Sequence, residues 1–183
     1  MSSLKKLFWI SLFVKLVLSG FLPLTSDEAY YWVWSQHMQL SYYDHPPFVA
    51  WLFWLGDHAA WLPGSVRWPG VLLGHAGLAI WLNALRTFLN EEQRRQWLWL
   101  VLLSPLAGGS AILLTPDLPL MFFYALAASV FFRWREKPDW KISLFFGLAM
   151  GLGFSSKYMM VLFPLSLAPL ILLSAEVRRA CFK

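Results

Sequence analysis

Long apolar runs alternate with short polar links along most of this 183-residue chain. The runs fall at 7–24, 66–85, 97–114, 118–132, 142–154 and 158–174. A helix needs about 20 apolar residues to cross a hydrocarbon core of about 30 Å. The pattern therefore predicts an all-α, multi-pass helical membrane protein with about six transmembrane helices. Residues 25–65 break the alternation. Their apolar positions are largely aromatic, with Tyr30, Tyr31, Trp32 and Trp34 in one stretch and Trp51, Phe53 and Trp54 in the next. Two helices lying in the membrane interface, over 26–38 and 47–56, are expected there. Pro46-Pro47 keeps His45 out of helical geometry and starts the second of them. No repeat or linker divides the sequence, so residues 1–183 read as one module.

Charge orients this module. Lys5 and Lys6 precede the first run. Arg86, Arg94 and Arg95 follow the second, and Arg133, Arg135, Lys137 and Lys141 separate the fourth and fifth. Arg178, Arg179 and Lys183 close the chain, and together these make up most of its 15 basic residues. The positive-inside rule places these links and both termini in the cytoplasm. Residues 25–65, the turn at 115–118 and the turn at 155–157 then share the outer face, with Arg67 and Lys157 as the cations near it. Runs 118–132 and 142–154 are short. A helix of about 15 residues covers only about 22 Å, so their outer ends are expected in a recess able to admit a lipid headgroup. Lys15, inside the first run, reads as a snorkelling or bundle-facing residue.

Composition narrows the class. The chain is 58% hydrophobic and 14% charged, outside the range of soluble domains. Its 12 Trp suit interfacial belts. The net charge of +5 lies in the links, not in a phosphate-tracking stripe, so nucleic acid is not indicated. The lone Cys181 excludes an internal disulfide. Lys5-Lys6 before an apolar stretch resembles a signal peptide, but Lys15 interrupts the run and no cleavage pattern follows Gly20. An uncleaved first span is expected.

Polar clusters on the shared face carry the candidate chemistry. Thr25-Ser26-Asp27-Glu28 fits a capping box, which gives Glu28 a structural task, while Asp27 in the first turn favours the helix dipole. Asp44-His45 reads equally as a turn, and Asp117 as a cap for the helix beginning at Leu118. Their common location adds a second reading, proton abstraction or ion binding. Asp27, Glu28, Asp44 and His45 are hard ligands that a divalent metal accepts, although their spacing matches no strong metal signature and no cofactor is required. His37, His58 and His75 read as interfacial or packed side chains.

Ser26-Asp27-Glu28-Ala29-Tyr30-Tyr31-Trp32, Tyr43-Asp44-His45-Pro46-Pro47 and Val66-Arg67-Trp68-Pro69 resemble the first external loop of family 39-like membrane glycosyltransferases. Thr115-Pro116-Asp117-Leu118-Pro119-Leu120 and Gly153-Phe154-Ser155-Ser156-Lys157-Tyr158 are similar to that family's next two signatures, in the same order. The group has the GT-C fold. It includes protein O-mannosyltransferases, lipid A aminoarabinose transferases and Rgt-type lipopolysaccharide core glycosyltransferases. The resemblance implies transfer of a sugar from a polyprenyl-phosphate carrier to an envelope lipid, polysaccharide or protein, outside the cytoplasmic membrane of a bacterium. It implies Asp27 as general base with Glu28 beside it, and Asp44, His45, Arg67, Asp117, Lys157 and Tyr158 around donor and acceptor. The aminoarabinose transferases carry a phosphate-contacting lysine where His45 stands, which leaves Lys157 as the carrier-phosphate candidate. Family members are usually longer, so an N-terminal part lacking the C-terminal half is expected. The competing readings are a transporter component, with Asp117 and Lys157 marking a solute path, or an inactive subunit that binds the lipid carrier.

Overall fold

The computed structural model describes residues 2–136, 139–174 and 178, and among them there is no β-strand. The described residues form α1 (Ser3–Leu18), α2 (Ser26–Ser35), α3 (Phe48–Asp57), α4 (Trp68–Ala84), α5 (Glu91–Leu103), α6 (Asp117–Glu136), α7 (Trp140–Ser156) and α8 (Leu162–Leu173). Helices α1 and α4–α8 arise from the six apolar runs, while α2 and α3 occupy the long first loop. Cys181 and Lys183 lie outside the described residues.

The long helices run up and down. At one end Leu4 of α1, Leu82 of α4 and Leu98 of α5 pack together. At the other end Tyr31 and Trp34 of α2 meet Val49, Ala50 and Phe53 of α3, with Leu114 beneath them. A third cluster joins α6, α7 and α8 through Leu120, Ala127, Phe131, Ala149, Met160 and Phe163. The outer surface is apolar as well: Ile10, Phe13 and Val17 of α1, Leu144, Phe145 and Leu148 of α7, and Leu165 and Leu172 of α8 are exposed. Soluble monomers rarely show apolar faces of this extent, whereas lipid accommodates them. Lys15 turns inward and is buried between helices. Among the described residues one helical segment, Ser65–Thr87, is by itself long and apolar enough to cross a membrane.

Helix boundaries depart from the hydropathy runs in three places. The third run was expected to reach residue 114, but α5 stops at Leu103. Pro105 disfavours a helical residue before it and lacks an amide donor. The chain then passes through a π-helical turn at Pro105–Gly109 and a 3-10 turn at Ser110–Ile112. Conversely, α6 is 20 residues long, about 30 Å. Arg133, Arg135 and Glu136 continue it beyond the apolar stretch, so the expected shortness of 118–132 does not hold. Finally, α1 ends at Leu18 rather than near residue 24.

The first loop is a packed layer. Trp32 Nε1 on α2 donates to Asp57 Oδ1 at the end of α3, at 3.1 Å. The Trp34 and Tyr42 rings stack at 4.5 Å. α3 returns to α4 through a 3-10 turn, Ser65–Arg67, that touches Gly56 so closely that a Cβ there would lie 2.6 Å from the Ser65 and Val66 carbonyl oxygens. Gly56→Ala must displace this turn and is expected to cost about 1–3 kcal/mol. The melting temperature of the purified protein in detergent reads the loss, and an unchanged value would show that the turn yields freely.

Candidate active site

The first loop is organised around Glu28. Thr25 caps α2 by accepting the Glu28 amide, and the Glu28 carboxylate returns to the Thr25 amide at 3.1 Å, completing a capping box. The same carboxylate is wholly buried and takes both arms of Arg67, from Nε to Oε1 and from Nη2 to Oε2, each at 2.7 Å. The Leu114 amide donates to it at 2.9 Å. Arg67, also buried, spends its remaining donors on the carbonyls of Ser19, Leu22 and Pro23. Burial by itself would raise the Glu28 carboxyl. The Arg67 hydrogen bonds, the Leu114 and Thr25 amides and the Arg67 charge outweigh it and hold the group below the usual carboxylate range. A carboxylate and a guanidinium this saturated have no face left for a substrate. Their polar atoms are spent within the protein, tying the exit of α1, the start of α2 and the stretch before α6 together.

Asp27 lies one residue away but about 100° around the helix. It is exposed, and among the described residues its carboxylate has no hydrogen-bond or ion-pair partner. One turn further along the same face stands Tyr31, buried against the α2–α3 core. Burial first, and then the charges of Asp27, Asp117 and Asp44, push its hydroxyl above the usual phenol range. Three carboxylates, from α2, the loop before α3 and the start of α6, thus act on one phenol. His45 sets its ring edge-on to Tyr31, with centroids 5.9 Å apart. Tyr30 donates to Asp44 at 2.7 Å. Lys157, at the end of α7, places Nζ 2.6 and 2.8 Å from the two oxygens of Asp117. The charges of Asp27, Asp44 and Asp117 thus reach Tyr31, His45 packs on its ring, and Lys157 joins this end of the bundle through Asp117.

Other expectations resolve differently. Tyr158 opens the 3-10 turn Tyr158–Val161 with its ring exposed. Among the described residues no group of three or more His, Cys, Asp or Glu is arranged to hold a metal. In the set named from sequence, Glu28 is already committed to Arg67. His75 packs between α1 and α4, its Nε2 3.2 Å from Ser11 Oγ and from the Phe8 carbonyl, and His58 Nδ1 donates to the Trp54 carbonyl at 2.8 Å. Tyr31 was passed over as an interfacial aromatic. Its i, i+4 spacing from Asp27 was the available signal.

Residues 44–183 match the profile of the dolichyl-phosphate-mannose-protein mannosyltransferase family. The chain belongs to that family. Asp27 and Glu28 precede the matched region. The chain is also similar to the lipid A galacturonosyltransferase RgtD of Rhizobium johnstonii, 30% identical over 137 residues, which cover 72% of the chain and 28% of the relative. The lipopolysaccharide core galacturonosyltransferase RgtA of the same organism is 30% identical over 175 residues, 94% of the chain and 35% of the relative. An overlap of that extent takes in the first loop. This family member spans about a third of the length of these curated relatives. No solved structure matches it.

The buried pair yields the next test. Removing one partner of such a pair strands the other charge in the interior and costs about 3–5 kcal/mol. Arg67→Ala should lower the melting temperature more than Asp27→Asn, because Asp27 carries no comparable contact. The folded-state carboxyl of Glu28 lies below its unfolded value of about 4.3. Its stabilisation is therefore present above that value and lost as pH falls through the lower folded one. Thermal denaturation from pH 6 downward should show this loss in the wild type and a shallower one in Arg67→Ala. Matching acid profiles would contradict the pair's role.

Proposed function

We propose that this chain supplies the external catalytic module of a membrane glycosyltransferase. The enzyme moves a sugar from a polyprenyl-phosphate carrier to an envelope acceptor at the outer face of the cytoplasmic membrane. The observation that carries the reading is the gathering of Asp27, Asp44 and Asp117 around Tyr31, with Lys157 held on Asp117. The names of the two relatives favour a lipid A or lipopolysaccharide core acceptor.

In this reading Asp27 takes the proton of the acceptor hydroxyl as its oxygen bonds to the anomeric carbon. The bond from that carbon to the carrier phosphate breaks, and the electron pair leaves on the phosphate oxygen. Lys157 meets the charge that develops there. Two of its three ammonium protons point at Asp117, so one stays available for a phosphate oxygen. Asp44 and His45 help line the donor and acceptor pocket. Tyr31, a phenol that burial first and the nearby carboxylates second keep protonated, is a donor for a sugar or phosphate oxygen. In this reading the chain crosses the membrane six times with both termini cytoplasmic, so that this end of the bundle faces outside.

Asp27→Asn keeps the size of a side chain that makes no hydrogen bond among the described residues, and the Thr25–Glu28 capping box is untouched. Transfer by the complete polypeptide in native membranes should fall about 10²–10⁴-fold with folding preserved. Near wild-type transfer by this variant would remove Asp27 as the base. Orientation has its own test in a Cys181→Ser background. Tyr43, 99% exposed in the first loop, and Glu92, exposed at the start of α5, are replaced singly by cysteine. An impermeant thiol reagent added to intact cells should label Tyr43→Cys and spare Glu92→Cys. The reverse labelling would place the site in the cytoplasm.

A further inference from the structure

The end of the bundle opposite Asp27 holds a cavity of about 220 Å³ between α1, α4 and α5. Its rim carries Lys5 from α1, Arg86 from the 3-10 turn Leu85–Thr87 that follows α4, and Arg94 from α5, against the single carboxylate of Glu91. Three cations from three segments converge, with no acidic residue in the first turn of α1 to offset them. Arg94 Nε is buried and has no hydrogen-bond acceptor among the described residues, and its Nη1 reaches the Leu82 carbonyl only at 3.5 Å. The α1 N-terminus itself opens here, since Ser2 also lines the cavity, and helix N-termini favour anions. Phe8, Trp9, Ala79 and Leu82 form the apolar wall, and Trp9 is exposed along α1.

The structure assigns this cavity to the headgroup of an anionic phospholipid. The phosphate sits among Lys5, Arg86 and Arg94, while one acyl chain follows the apolar wall along α1 and α4. Basic pockets between membrane helices bind lipid headgroups in this manner, and an unpaired buried guanidinium nitrogen is satisfied by a phosphate oxygen. A free phosphate would use the cations and leave the wall empty. The wall commits the site to a lipid. The site stands apart from the carboxylates around Tyr31 and does not depend on the transfer chemistry.

Native mass spectrometry of the detergent-purified protein, with phosphatidylglycerol or phosphatidylcholine of identical chains, tests the assignment. Phosphatidylglycerol should be retained preferentially. Lys5→Gln and Arg86→Gln, both at exposed positions outside the packed core, should each weaken retention roughly fivefold, and the double variant about 25-fold. Glycerol 3-phosphate, which offers the headgroup without a chain, should not compete. Equal retention of the two lipids, unchanged retention by the double variant, or full competition by glycerol 3-phosphate would each overturn the assignment.

Discussion

One buried ion pair, Glu28 with Arg67, holds the first loop in register. The guanidinium has five N–H donors. Two go to Glu28 and the others to the carbonyls of Ser19, Leu22 and Pro23. Those three carbonyls belong to the segment that leaves α1, so a single side chain fixes where that segment ends. Glu28 adds the start of α2 and, through the Leu114 amide, the stretch before α6. Desolvating two charges is expensive, and the pair is favourable only because nearly every polar group in it is satisfied. Its contribution is specificity of arrangement: three stretches far apart in sequence, 19–28, Arg67 and Leu114, are brought to one point.

The arrangement places Asp27 by default. A helix turns about 100° per residue, so anchoring Glu28 inward leaves its neighbour facing outward. The next inward-leaning position on Asp27's own face is Tyr31, fixed in the α2–α3 core. The adjacent carboxylates in Asp27-Glu28 thus differ in environment through orientation alone. The Lys157–Asp117 pair is different in kind. It is partly exposed, with Asp117 61% accessible, and pairs of that sort contribute little to stability. A cation held loosely on the surface of a polar cluster can exchange its partner for a phosphate. A cation sealed like Arg67 cannot.

Much of the helical plan was legible in the sequence. The apolar runs located the long helices, and the capping box at Thr25 and Glu28 marked the start of α2. The Pro46-Pro47 pair announced α3. Ends were harder to read, since hydropathy reports composition and not backbone hydrogen bonding. Arg133 ends the apolar stretch without ending α6, which runs on to Glu136, whereas Pro105 follows the end of α5 inside an apolar stretch. The candidates Asp27, Asp44, Asp117 and Lys157 stood out in the sequence because polar residues are costly beside lipid. The Glu28–Arg67 pairing was not, because 39 residues separate the partners and each had another plausible role. Tyr31 was hidden among aromatics whose interfacial reading was sufficient.

In the proposed reaction the exposed carboxylate beside the sealed pair is the one that meets the acceptor. An experimental structure of the complete enzyme, with a carrier-linked sugar analogue and its acceptor bound, measures this directly. The account predicts an Asp27 carboxylate oxygen within about 2.6–3.2 Å of the attacking hydroxyl, with Glu28 still closed on Arg67. An acceptor hydroxyl lying instead against Asp44 or Asp117, or a Glu28 released from Arg67 and turned toward the sugar, would contradict it.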